Sequence, residues 1–185
     1  MKRGQAVGDA LPSPDKTLIA IKTVGGLIVK DLKTNSVRYS ASPEGVYAAA
    51  WSPDSKKLAY SAHGVFILDL ETLSGIVAPA STIESNYSAT SPLISDLVWS
   101  PDGKKIAYSL AFDVGLNRPS RNELWVVNAD GGGSRQLTTE TQMPMWSRDG
   151  RYIIFSRRQA RLYLIKADGS GERYIGKGVY PQWIP

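Results

Sequence analysis

The chain has no cysteine and a single histidine in 185 residues. Without thiols there is no disulfide, no thiolate metal site and no cysteine nucleophile, and one imidazole alone cannot build a tetrahedral zinc site. That histidine, His63, lies in the tight link Ala62-His63-Gly64, and no Gly-x-Ser-x-Gly elbow accompanies it, so a serine hydrolase triad is not available. No run approaches the ~20 apolar residues that a spanning helix needs, and membrane insertion is not expected. Met1-Lys2-Arg3 opens as an export signal does, but Gly4-Gln5-Ala6-Val7-Gly8-Asp9 follows where the apolar core should be, so no signal peptide is read here. Lys and Arg outnumber Asp and Glu by 22 to 17, yet they are spread along the chain, and no nucleic-acid partner is expected. Convincing amphipathic helices are also absent.

What is present is a repeated phrase. Trp-Ser-Pro-Asp stands at Trp51 to Asp54 and at Trp99 to Asp102, and Trp-Ser-Arg-Asp stands at Trp146 to Asp149. A degenerate copy, Pro12-Ser13-Pro14-Asp15, precedes them, and Val179-Tyr180-Pro181-Gln182-Trp183-Ile184-Pro185 reads as a truncated one. Units recurring at about 40 residues bury their apolar faces against one another rather than alone. Each unit runs through an apolar stretch ending at Trp, a Pro-Asp-Gly type turn and three β-rich stretches. Hydrophobic residues make up 42% of the chain, enough for a sizeable core.

The predicted strands are Ala6 to Leu11, Thr17 to Lys22, Gly26 to Asp31 and Ser36 to Tyr39 in the first unit, and Val46 to Trp51, Lys57 to Ser61, Val65 to Leu70 and Gly75 to Ala78 in the second. The third gives Ile94 to Trp99, Lys105 to Leu110, Glu123 to Asn128 and Arg135 to Thr138. The fourth gives Met143 to Trp146, Tyr152 to Ser156, Arg161 to Lys166 and Glu172 to Ile175. Pro53 and Pro101 preset φ for tight turns, Asp54 and Asp102 bond their own backbone, and Gly103 and Gly150 take positive φ. Asp130-Gly131-Gly132-Gly133 and Asp168-Gly169-Ser170-Gly171 read as hairpins: they lack the further carboxylates of a calcium loop, and no helix follows to make a phosphate cradle. No cofactor or metal is therefore expected.

Trp-Ser-Pro-Asp-Gly-Lys-Lys-Ile-Ala-Tyr, then Leu-Trp-Val-Val-Asn-Ala-Asp-Gly-Gly-Gly, then Arg-Gln-Leu-Thr resembles the TolB-type, WD-like β-propeller repeat, which also recurs in the propellers of prolyl oligopeptidase relatives. The resemblance implies an all-β propeller of four-stranded antiparallel blades over about 6–41, 46–79, 93–139 and 143–177, with an extra inner strand over 179–184. It also implies an extracytoplasmic or periplasmic setting. TolB-type propellers usually have more than four blades. The chain is therefore expected to be part of a longer propeller, one half of an eight-bladed ring made by a homodimer, or a closed ring with one terminal strand displaced.

Function is expected where the repeat is interrupted. Insertions over Pro79 to Pro92 and Phe112 to Asn122 fall on one face of the disc, joined there by Arg157-Arg158-Gln159-Ala160-Arg161. Tyr87, Phe112, Asp113, Arg118, Arg121, Arg157, Arg158 and Arg161 form the expected binding rim, since arginine with aromatics is the composition of protein-binding hot spots. Most of the acids have turn duties, and Asp96 and Asp113 are the best remaining candidates for paired-carboxylate catalysis, which would need two free acids facing one cleft. The expected function is a non-catalytic scaffold for a protein or peptide. The alternatives are a propeller that gates or carries a hydrolase or lyase, and a ligand-sensing domain.

Overall fold

The computed structural model describes residues 10–23, 25–42, 46–61, 64–79, 93–112 and 121–178. Blade A contains β1 (Ala10–Pro12), β2 (Leu18–Thr23), β3 (Gly26–Asp31) and β4 (Val37–Ala41). Blade B contains β5 (Ala49–Trp51), β6 (Lys57–Ser61), β7 (Gly64–Asp69) and β8 (Gly75–Pro79). Blade C contains β9 (Leu93–Trp99), β10 (Lys105–Phe112), β11 (Arg121–Asn128) and β12 (Arg135–Thr139). Blade D contains β13 (Gln142–Trp146), β14 (Tyr152–Arg157), β15 (Arg161–Lys166) and β16 (Arg173–Lys177). Each blade is one four-stranded antiparallel sheet in chain order, so the expected all-β propeller architecture is what the chain forms.

Local chemistry moves some strand ends. The inner strand expected from Val46 begins only at Ala49, because Tyr47 and Ala48 donate their backbone N–H groups to the Ser61 hydroxyl, at 2.7 and 3.1 Å. The strand expected from Thr17 begins at Leu18, since the Thr17 N–H donates to Asp15 Oδ1 at 3.1 Å. Residues 6–9 of the first predicted strand and the closing strand over 179–184 lie outside the described residues.

Three apolar clusters join A to B, B to C and C to D; among the described residues none joins D to A. Every joint has the same construction. The Trp51 indole N–H donates to the Leu11 carbonyl at 2.8 Å, Trp99 to Ala50 at 3.0 Å and Trp146 to Val98 at 3.2 Å, each reaching into the preceding blade. Each indole shares its cluster with a small residue of that preceding blade, Ala20, Ala59 or Ala107. Blades B, C and D add an aromatic pair on the face toward their predecessor: Tyr60–Phe66, Tyr108–Trp125 and Phe155–Tyr163, with centroids 4.8, 6.5 and 5.8 Å apart.

The turn after each inner strand is closed by side chains. Ser13, Ser52, Ser100 and Ser147 each donate a hydroxyl to Oδ1 of the aspartate two residues on, at 2.6 Å in all four blades. In blade B the Ser52 Oγ also accepts the Lys57 N–H at 2.8 Å, so one buried hydroxyl ties both ends of the turn. The residue after the aspartate takes the left-handed conformation: Lys16, Ser55, Gly103 and Gly150 have φ of 59, 62, 67 and 68°. Glycine pays no steric cost there, which is the role expected for Gly103 and Gly150.

These hydrogen bonds hold Asp15, Asp54 and Asp102 below the usual carboxylate value, first through the serine hydroxyl and then through the backbone N–H of Thr17, Lys56 and Lys104. Asp149 is lowered to about 2 by Ser147, then by the backbone and guanidinium of Arg151. A carboxyl depressed on folding stabilises above its unfolded value, and that stabilisation is lost as protons return. The urea midpoint is expected to hold above about pH 4 and to fall between about pH 4 and pH 2. Ser100→Ala is expected to lower stability by about 1–3 kcal/mol in urea melts, because the turn's N–H and carboxylate lose their shared partner. Leu73, half-exposed with φ of 54°, is expected to gain about 1 kcal/mol on replacement by Gly.

Candidate functional site

The inner strands of all four blades meet at one concavity. Leu11 and Lys22 contribute from blade A, Tyr47 to Ala49 from B, Ser95 to Val98 from C and Met143 to Met145 from D, around a volume of about 540 Å³. Much of its lining is apolar, and Leu11, Val98 and Met145 each stand one residue before the repeat's Trp position in blades A, C and D. Two charges interrupt that lining. Lys22 Nζ donates to the Tyr47 carbonyl at 3.0 Å, and Asp96 Oδ2 accepts from Ser95 Oγ at 3.2 Å and from the Met143 N–H at 3.4 Å.

That last contact comes from a break in blade D. The pairing of β13 with β14 slips between Gln142 and Met145, and Met143 takes φ of 54°, a conformation a straight-chain residue rarely adopts. The bulge turns the Met143 N–H toward Asp96 and leaves its side chain over a third exposed. Asp96 thus lines the concavity, and Asp113 lies outside the described residues. Among the described lining residues Asp96 is the one carboxylate, so the paired acids of glycosidase chemistry are not assembled from them. No group of three or more metal-ligating side chains occurs among the described residues.

The expected rim divides. Tyr87, Asp113 and Arg118 lie outside the described residues, and of Arg121 only the strand backbone is described. The insertion expected as a loop from Phe112 to Asn122 is zipped at both ends, with Phe112 paired to Arg121 and Ala111 to Asn122. Phe112 packs against the B–C cluster instead of standing clear. Arg157 is engaged on every side. Its Nη1 meets Glu172 Oε1 at 2.7 Å, Nη2 donates to Thr138 Oγ1 at 2.8 Å, and Nε donates to the Thr139 carbonyl at 3.2 Å. The guanidinium also lies 4.4 Å from the Tyr163 ring centroid, so it bolts blade C's outermost strand to blade D. Arg158 and Arg161 remain exposed beside it.

Sequence reasoning missed the Met143–Met145 wall, Tyr47 and Lys22. The readable signal was positional: residues leading into the repeat's Trp are among those that line the concavity. Glu123 was missed too; it is 1% exposed and accepts from the Trp125 indole at 2.9 Å within blade C.

No family model and no curated protein matches the chain. Solved structures do. The Swd1 β-propeller domain from Myceliophteria thermophila shares 14% identity at a TM-score of 0.68, covering 96% of this chain and 57% of that one. A TolB candidate from Agrobacterium tumefaciens shares 20% identity at 0.63, over 97% and 65%. An oligogalacturonate lyase in complex with manganese shares 18% identity at 0.67, over 90% and 51%. At these identities the likeness is one of fold, a β-propeller, and the chain spans half to two thirds of each structure's length.

Arg157→Ala is expected to lower stability by about 2 kcal/mol, since it leaves Glu172 without its cation and Tyr163 without its lid. Arg158→Ala is expected to change stability by less than about 0.5 kcal/mol, and paired urea melts of the two variants check the contrast.

Proposed function

We propose that the chain is a non-catalytic scaffold that receives an extended segment of a protein partner in the inner-strand concavity, with Arg158 and Arg161 at the adjoining loop face steering its approach. The observation that supports this reading is the composition of the concavity. An apolar floor of Leu11, Val98, Met143 and Met145, edged by Tyr47 and crossed by one cation and one anion, matches how peptide pockets combine apolar area with a few orienting polar groups. Methionine adds adaptability, because its unbranched thioether repacks around different side chains. Asp96 supports binding over catalysis here: it is held by Ser95 and Met143, with no second acid among the described lining residues.

The test is selection of random peptides on the purified chain, followed by affinity measurement on variants. Met145→Arg is expected to weaken the selected peptides at least tenfold by placing a charge on the floor. Arg158→Glu with Arg161→Glu is expected to slow association and to abolish the salt dependence of the rate. Peptides that bind Met145→Arg as tightly as the unaltered chain would remove the concavity from consideration.

A further inference from the structure

Four cations and one acid meet at one corner of blade D. Arg157 ends β14, Arg161 opens β15 and Lys177 ends β16, and strand pairing sets them side by side: Arg157 opposite Arg161, and Arg161 opposite Lys177. Arg158 stands in the turn between Arg157 and Arg161. Directly opposed residues share a face of the sheet. Here it is the face toward blade C, because the Arg157 guanidinium lies over the rings of Phe155 and Tyr163, 5.4 and 4.4 Å from their centroids.

The acid is already engaged. Glu172 Oε1 meets Arg157, and its Oε2 accepts from Thr138 Oγ1 at 2.6 Å. Arg161 and Lys177 are exposed, and among the described residues neither side chain bonds to an acid. They are also close. The Gly178 N–H donates to the Ala160 carbonyl at 2.7 Å, so Arg161 and Lys177, one residue inside that bond on each strand, form the non-hydrogen-bonded kind of pair whose side chains come nearest. Like charges placed in this way repel.

The repeat does not require this pair. The equivalent position, two residues before the aromatic of the third strand, holds Gly64 opposite Pro79 in blade B and Glu123 opposite Thr139 in blade C. Lys177 alone would protect β16, the outermost strand of its sheet, from edge pairing; a second cation facing it from the inner strand adds only repulsion. The turn before Arg161 is strained as well. Gln159 and Ala160 both take the left-handed conformation, with φ of 65 and 55°, which glycine and asparagine adopt more readily.

We propose that Arg161 and Lys177, flanked by Arg158, form a site for a phosphoryl group. Two facing cations call for a ligand that carries two negative charges in one compact group. A phosphate monoester does so and presents three acceptor oxygens; the Arg161 fork takes two of them and the Lys177 ammonium the third. A single carboxylate leaves one cation unmatched. None of these residues lines the concavity, so occupancy of the site is separable from peptide binding there.

The test is NMR titration of the full chain, at constant ionic strength, with inorganic phosphate, a short phosphoserine peptide and its unphosphorylated twin. Saturable shifts are expected at the amides of Arg161, Lys177 and Gly178, with affinity for the phosphopeptide rising as pH passes about 6 and the ester takes its second charge. Lys177→Gln and Arg161→Gln are each expected to weaken phosphate binding at least about fivefold. Lys33→Gln, which removes one charge from an exposed turn of blade A, is expected to leave it unchanged. Without ligand, Lys177→Gln is expected to raise the urea midpoint at low salt and to lose that gain at high salt, where the repulsion is screened; the same melts confirm that each variant folds. Tighter binding of the phosphopeptide than of phosphate assigns the phosphoryl group to a partner segment, and equal binding assigns it to a free phosphorylated ligand; both support the site. Shifts that never saturate, a twin that binds as well as the phosphopeptide, or a loss with Lys33→Gln equal to that with Lys177→Gln overturns the proposal. Met145→Arg, which tests the concavity, is expected to leave phosphate binding intact, so either reading can fail without the other.

Discussion

The joint between blades depends on one donor and one acceptor. An indole N–H that enters an apolar seam must find a carbonyl or forfeit its hydration, and here the carbonyl it finds belongs to the blade before. That bond ties each sheet to the one before it, and an alanine of the preceding blade shares the same seam. The inner strands it ties together also line the concavity, with Leu11, Val98 and Met145 among the lining residues.

Much of this was legible in the sequence because the repeat carries its chemistry locally. The serine, aspartate and left-handed residue of each turn sit within four positions, so the turn could be read without knowing its neighbours. Gly26–Asp31, Lys57–Ser61 and Arg161–Lys166 emerged with the expected bounds. What could not be read depends on partners distant in the chain. Ser61 interrupts the ladder at Tyr47 from the neighbouring strand, and Arg157 is drawn between blades by Glu172 and Thr138. A run of arginines looks the same in sequence whether its members face water or clamp a seam.

The concavity was legible in outline only. Asp96 could be singled out because no turn needed it, but the Met143 bulge that binds it breaks the alternation from which strand faces are inferred. Departures from local regularity of this kind gather where a surface serves something beyond folding.

The serine and aspartate turns have a consequence for the stacking of the blades. Each bonds within its own blade, with one link across, from the Asp15 N–H to the Ser55 hydroxyl at 3.0 Å, and the internal joints share one construction. An internal blade therefore presents to its neighbours on both sides the same kind of seam that it replaces. Pro12 is the exception. It stands in blade A where blades B, C and D carry the indole, so that position has no N–H to give to a carbonyl of another blade.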